Sequence, residues 1–149
     1  MKQVIINADD LGMSQGNNAA ICRVHREGIL TSASMMVTMP GYEDAIRNVI
    51  PNNPGLGLGI HLSLTEGKSV LNEKQIPLLV DERGYFSRNF VEIYGMSRLW
   101  NGGALLGQIE QELNSQFEKL YCEVSKIDHV NCHHHVHMIP AIFSIVVRL

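Results

Sequence analysis

Apolar and polar positions along the chain fall into blocks whose lengths alternate between those of strands and helices. Gln3 to Ala8 carries Val4, Ile5 and Ile6 with apolar residues on both faces, the pattern of a parallel strand covered on two sides, and it runs into Asn7-Ala8-Asp9-Asp10. After a turn at Leu11-Gly12, the residues from Ser14 onward place Ala20, Ile21 and Val24 at helical spacing and reach Gly28, a helix C-cap. Ser32 to Thr38 reads as the second strand, and Gly41 to Ile50 as a short helix closed by Pro51. In Pro54 to Leu64, Leu56, Leu58, Ile60 and Leu62 occupy one face of a third strand, with Gly55, Gly57, Gly59 and His61 on the other. His61 thus stands above a column of missing side chains, with room beside it.

The pattern weakens between Glu66 and about Asn101, which predicts a long loop with short helical pieces, of the kind that covers active sites. The firmest helix follows, over Leu105 to Val124, where Leu106, Ile109, Leu113, Phe117, Leu120 and Val124 recur every three or four residues. Ile127 to Cys132 is a further strand that ends in His133-His134-His135-Val136-His137, and an amphipathic helix starts after Pro140. That last helix reaches Leu149 with no glycine cap and no polar tail, so the chain is expected to be an N-terminal fragment of a longer protein. Strands alternating with helices predict an α/β fold with a parallel sheet, open or closed into a barrel, whose ligands gather at the carboxyl ends of the strands.

Composition narrows the partners. A chain of 149 residues with 45% hydrophobic and 18% charged residues is globular in type and of one-domain size. A net charge of -3 without a Lys/Arg cluster gives no reason to expect nucleic acid or an anionic membrane as partner, and a small neutral substrate fits better. No stretch approaches the roughly 18 to 20 apolar residues needed to span a bilayer, and the N-terminus turns polar too early for a signal peptide, so the cytoplasm is the expected compartment. Cys22, Cys122 and Cys132 are odd in number and irregularly spaced, which argues against a disulfide framework or a cysteine zinc site.

The chemistry lies in position. Asp9-Asp10, His61 and the histidine cluster each fall at the C-terminal end of a different strand, and in a parallel α/β fold those ends converge. One carboxylate and two imidazoles around an open position suit a divalent ion such as zinc, manganese or cobalt, and less typically magnesium. A second carboxylate beside such an ion can take a proton from water, so an adjacent Asp pair can supply both roles. The same pair also serves as an ordinary turn and cap device, and His61 alone as a hydrogen-bonded structural residue. Period-two alternation puts His133, His135 and His137 on one side and His134 on the other, so spacing does not select the ligand among the three. His25 and His129 read as structural or exposed, and Cys132 as core.

Four segments carry a resemblance: Val-Ile-Ile-Asn-Ala-Asp-Asp-Leu-Gly-Met-Ser near the start, Gly-Ile-Leu-Thr-Ser-Ala-Ser at 28–34, Gly-Ile-His-Leu-Ser-Leu-Thr at 59–65, and Asp-His-Val-Asn-Cys-His-His-His-Val-His-Met-Ile-Pro at 128–140. In this order, over nearly the whole chain, they resemble the YdjC-like family of carbohydrate deacetylases. The resemblance implies a distorted (β/α) barrel with one divalent metal ion, magnesium or zinc in the first place and manganese or cobalt in the second. It further implies hydrolysis of N-acetyl groups from amino sugars such as chitin-type oligosaccharides. Carried over residue by residue, Asp9 would be the general base, Asp10, His61 and His133 the metal ligands, and His135 and His137 would lie behind them or face the substrate.

Members of the family are considerably longer, and their later part supplies further barrel strands and a histidine expected to act as general acid. Residues 1–149 are therefore expected to be the N-terminal portion of a single barrel domain, binding metal without turnover or completed by a second copy as a dimer, because an incomplete barrel exposes sheet edge. Two rival readings are a metal-dependent phosphoesterase and a non-catalytic sugar-binding fragment of the same fold. The first needs cations near the metal, and only Lys2 and Arg26 flank the motifs.

Overall fold

A computed structural model describes residues 2–99 and 102–149. Its elements follow the order β1 (Asn7–Leu11), α1 (Gln15–Glu27), β2 (Ser32–Met35), α2 (Tyr42–Asp44) continued by a π-helical turn (Ala45–Val49), β3 (Gly57–Leu62), α3 (Phe90–Ser97), α4 (Gly102–Tyr121), β4 (Val130–Cys132), a 3₁₀ segment (His133–Met138) and α5 (Pro140–Val146). The four strands form one sheet in the order β1-β2-β3-β4, and every neighbouring pair is parallel. Sequential order without reversal is the winding of a (β/α) barrel, whereas doubly wound sheets turn back at a switch point. The expectation of an α/β fold of barrel type is met.

The hydrophobic pattern explains most of the layers. Leu58, Ile60 and Leu62 of β3 are buried together with Ile109, Leu113 and Leu120 of α4 in one core. Ser14 caps α1 by accepting from the Asn17 amide, and Gly28 ends that helix, as read from the sequence. Only Asn18 and Ile21 of α1 are buried, however, while Val24 is 48% exposed. Asn18 is inside because its amide is fully used: it accepts from Gly12 N and donates to Gly41 O and Asp44 Oδ2, tying the β1 turn to α2. The loop region carries α3 and two isolated antiparallel bridges, Lys68 with Tyr85 and Val80 with Phe86, in keeping with short ordered pieces. Its last two residues, Trp100 and Asn101, lie outside the described residues.

Three expectations shift. The first strand begins at Asn7, and Val4 and Ile5 are 74% and 80% exposed, because the ladder to β2 opens only at the Asn7–Ser32 pair. Asp9 and Asp10 lie at the C-terminal end of β1, as the sequence predicts. The second and fourth strands are shorter than read, Ser32–Met35 and Val130–Cys132. The glycine face of β3 is not vacant: the His129 ring covers Gly59 closely enough that a β-carbon there would overlap it. His129 is held in place by Asp128 Oδ1, 2.6 Å from Nδ1, and by Ser34 Oγ, 3.2 Å from Nε2. Gly59→Ala is accordingly expected to destabilise the fold by about 1–3 kcal/mol through overpacking, read as a lower urea midpoint with an unchanged slope.

Candidate metal centre

The Asp pair reaches the site through a break in the ladder. Ala8 pairs with Ala33 and Leu11 with Met35, so β1 spends three steps where β2 spends two. Adjacent residues of a regular strand point to opposite faces, but the extra residue of a bulge re-aims its side chains. Asp10 adopts φ 63°, the left-handed region, and its carboxylate reaches His61 and His133, while that of Asp9 reaches Ser34 and Asn131. The histidine cluster departs from strand geometry too. It forms a 3₁₀ segment in which His134 (φ 50°) and His135 (φ 55°) are left-handed, so alternation does not decide which rings face the site. His133 and Val136 are buried, whereas His134 and His135 are exposed. The described non-glycine residues with positive φ are Asp10, His134 and His135, all at this one place, where strain is tolerated because the surroundings fix it.

Asp10 Oδ1, His61 Nε2 and His133 Nδ1 form a near-equilateral triangle. Asp10 lies 3.3 Å from His61 and 3.2 Å from His133, and the two imidazole nitrogens are 3.3 Å apart. Asp10 Oδ1 is buried without a hydrogen-bond donor. Such an oxygen is costly to leave unpaired, and a cation is one partner that satisfies it. The spacing also fits: an ion about 2.0 Å from each donor, at the centre of a tetrahedron, has donor–donor edges of about 3.3 Å. The three residues are thus able to hold a metal ion.

Asn131, at the middle of β4, organises two of these groups. Its Nδ2 donates to Asp9 Oδ1 at 2.8 Å, which fixes the amide with Oδ1 toward His61 Nδ1 at 2.6 Å. His61 therefore carries its proton on Nδ1 and presents the Nε2 lone pair to Asp10 and His133. Asp9 is exposed, and its Oδ1 also accepts from Asn7 Nδ2 at 2.9 Å and from Ser34 Oγ at 3.4 Å. Burial first, and then the neighbouring His134, hold the His133 imidazole below its ordinary pKa, in the neutral state that can coordinate. Burial and then His135 do the same for His137, whose Nδ1 is enclosed without a partner.

The sequence reading missed Asn131, Glu66 and the scaffold behind Glu66. Gln116 of α4 accepts from Ser63 N (3.0 Å) and donates to Ser63 O (2.7 Å), and it also donates to Glu112 (2.9 Å). The buried Glu112 accepts from the amides of Val70 and Leu71, at 3.0 Å each, and burial raises its pKa despite these donors. Both residues lie on α4 among many other polar positions, so no local signal in the sequence marks these two as buried. Cys132 is core as read, its thiol pushed up to about 12 by burial. His25 is structural as read, bonded through Nδ1 to Leu30 O at 2.8 Å, and His129 is structural through the contacts given above. Arg26 binds Asn53 and the Asn52 carbonyl.

Comparison with known proteins addresses the chain as a whole. The family model described as YdjC-like protein matches residues 3–149. The chain belongs to the YdjC-like family. Among curated relatives it is 42% identical to a carbohydrate deacetylase of Brevibacillus brevis, covering 99% of this chain and 55% of that protein. It is 36% identical to a chitooligosaccharide deacetylase of Proteus mirabilis, covering 96% and 53%. A crystal structure from Enterococcus faecalis V583, provisionally described as a cellobiose-phosphate cleavage protein, superposes with a TM-score of 0.81 at 28% identity, over 97% of this chain and 53% of the other. The chain thus spans about half the length of the relatives it matches. Among the described residues, no helix is long and apolar enough to cross a membrane.

Proposed function

We propose that Asp9, Asp10, His61 and His133 form the metal-binding half of a carbohydrate N-deacetylase, with residues 1–149 as the N-terminal portion of one barrel domain. The observation that carries this reading is the buried, donor-less Asp10 Oδ1 facing two imidazole nitrogens at 3.2 and 3.3 Å. The names of the relatives supply the substrate class, an N-acetylated sugar or chitooligosaccharide. Two imidazole donors favour zinc or another borderline ion over magnesium, which takes oxygen ligands.

A divalent ion held by the three ligands would supply Lewis acidity, polarising an acyl oxygen and acidifying water. Asp10 contributes charge, His61 and His133 contribute neutral nitrogen donors, and Asn131 keeps His61 in the coordinating tautomer. The Asn7 and Asn131 amides occupy Oδ1 of Asp9, which leaves Oδ2 to take the proton of a water attacking the amide carbon. The phosphoesterase reading gains no support from Arg26, which is engaged by Asn52 and Asn53. Acetate release from N-acetylated chitooligosaccharides, measured on this chain and on one extended to the relatives' length, tests the proposal. Release that stops on chelation and returns with zinc is the expected result, and release indifferent to chelation refutes it.

A further inference from the structure

His61 has a partner that fixes its proton, and His133 raises the same question. His133 presents Nδ1 to the triangle, so its proton belongs on Nε2 if Nδ1 is to coordinate. Nε2 is buried and lacks a hydrogen-bonded partner in the resting arrangement. A carboxylate oxygen does lie within reach: Glu66 Oε2, 3.4 Å away on the side opposite the triangle. Glu66 meets the centre through the far nitrogen of His133 and through its neighbour His134.

The backbone of Glu66 is tied down, while its side chain is 44% exposed. Its backbone N–H donates to Ser63 Oγ at 3.2 Å, and its carbonyl accepts from the same hydroxyl at 2.9 Å. Ser63 is in turn clamped through its own backbone by Gln116, and the loop beyond it by Glu112 through Val70 and Leu71. Two buried polar side chains of α4 are thus committed to fixing the loop that carries this carboxylate.

We infer that Glu66 is a positioning residue of the metal centre: its carboxylate accepts the Nε2 proton of His133, selects the tautomer that presents Nδ1 to the ion, and raises the basicity of that ligand. The inference rests on the metal-site reading of Asp10, His61 and His133, and it concerns ion binding, not turnover. Loss of an outer carboxylate of this type weakens ion binding by about 10–100-fold. Zinc affinity and stoichiometry, measured by competition with a chromophoric chelator, are expected to give one equivalent for the natural chain and a loss in that range for Glu66→Ala. Glu66→Gln, which keeps a neutral acceptor, should fall between the two, and removal of an exposed carboxylate elsewhere, Glu82→Ala, should leave affinity unchanged. In metal-free protein, the imidazole ¹⁵N shifts of His133 should report an Nε2–H tautomer that gives way to Nδ1–H in Glu66→Ala. Equal affinity in Glu66→Ala overturns the inference, as does an Nδ1–H tautomer in the natural chain. Two equivalents of zinc falling to one in Glu66→Ala also overturn it, because Glu66 would then ligate a second ion with His134. Failure of the natural chain to bind zinc refutes the underlying site, and the metal-free tautomer still decides the role of Glu66.

Discussion

His61→Ala and His133→Ala are each expected to weaken zinc binding by more than about 100-fold, beyond the range typical of an outer-layer partner, while the fold survives. Each substitution takes one corner from a triangle that has only three, and the remaining carboxylate and single imidazole make no preformed site. The two variants should differ in stability. His61 is 4% exposed and its Nδ1 holds Asn131, so its removal also leaves the Asn131 carbonyl without its donor. His133→Ala loses the ion with a smaller fall in denaturation midpoint. Zinc content by elemental analysis, set beside urea unfolding, separates the two effects.

Asp9→Asn carries the second large effect. The substituted amide can still accept at Oδ1 from Asn7 and Asn131, so the network around it and the zinc affinity should be kept. Its nitrogen cannot take a proton from water, and loss of a general base removes about 10²–10⁴-fold in rate. Acetate release by the chain extended to the relatives' length should therefore fall by that factor at unchanged zinc stoichiometry. An Asp9→Asn chain that deacetylates at the natural rate would remove Asp9 from the mechanism.

The parts of this site that were legible in the sequence are those whose chemistry and place coincide. Asp10, His61 and His133 are residue types that bind metals, each near the end of a strand, and parallel strands bring those ends together. Asn131 was invisible because an asparagine in a strand has no characteristic spacing, and its role exists only once β1 and β4 bring Asp9 and His61 within reach of one amide. Glu66 depends on contacts from Gln116 and Glu112 some fifty positions away, which no local pattern encodes.

The misread features have physical causes as well. Alternation failed in the histidine cluster because two consecutive left-handed residues replace the strand by a turn. The start of β1 slipped because Val4 and Ile5 have the composition of a covered strand without pairing in the ladder. The glycine column of β3 marked a close approach, as glycines in strands do, but the approaching group is the His129 ring. In the long helix the period was read correctly, yet its apolar stripe gave no warning that Glu112 and Gln116 would be buried with it.

On this reading the fold gathers Asp10, His61 and His133 around one divalent cation. Crystals of the chain grown with zinc and measured at the zinc absorption edge test it most directly. A single strong anomalous peak is expected about 2.0–2.2 Å from Asp10 Oδ1, His61 Nε2 and His133 Nδ1. An empty triangle, with zinc bound only at His134, His135 or His137, would contradict it.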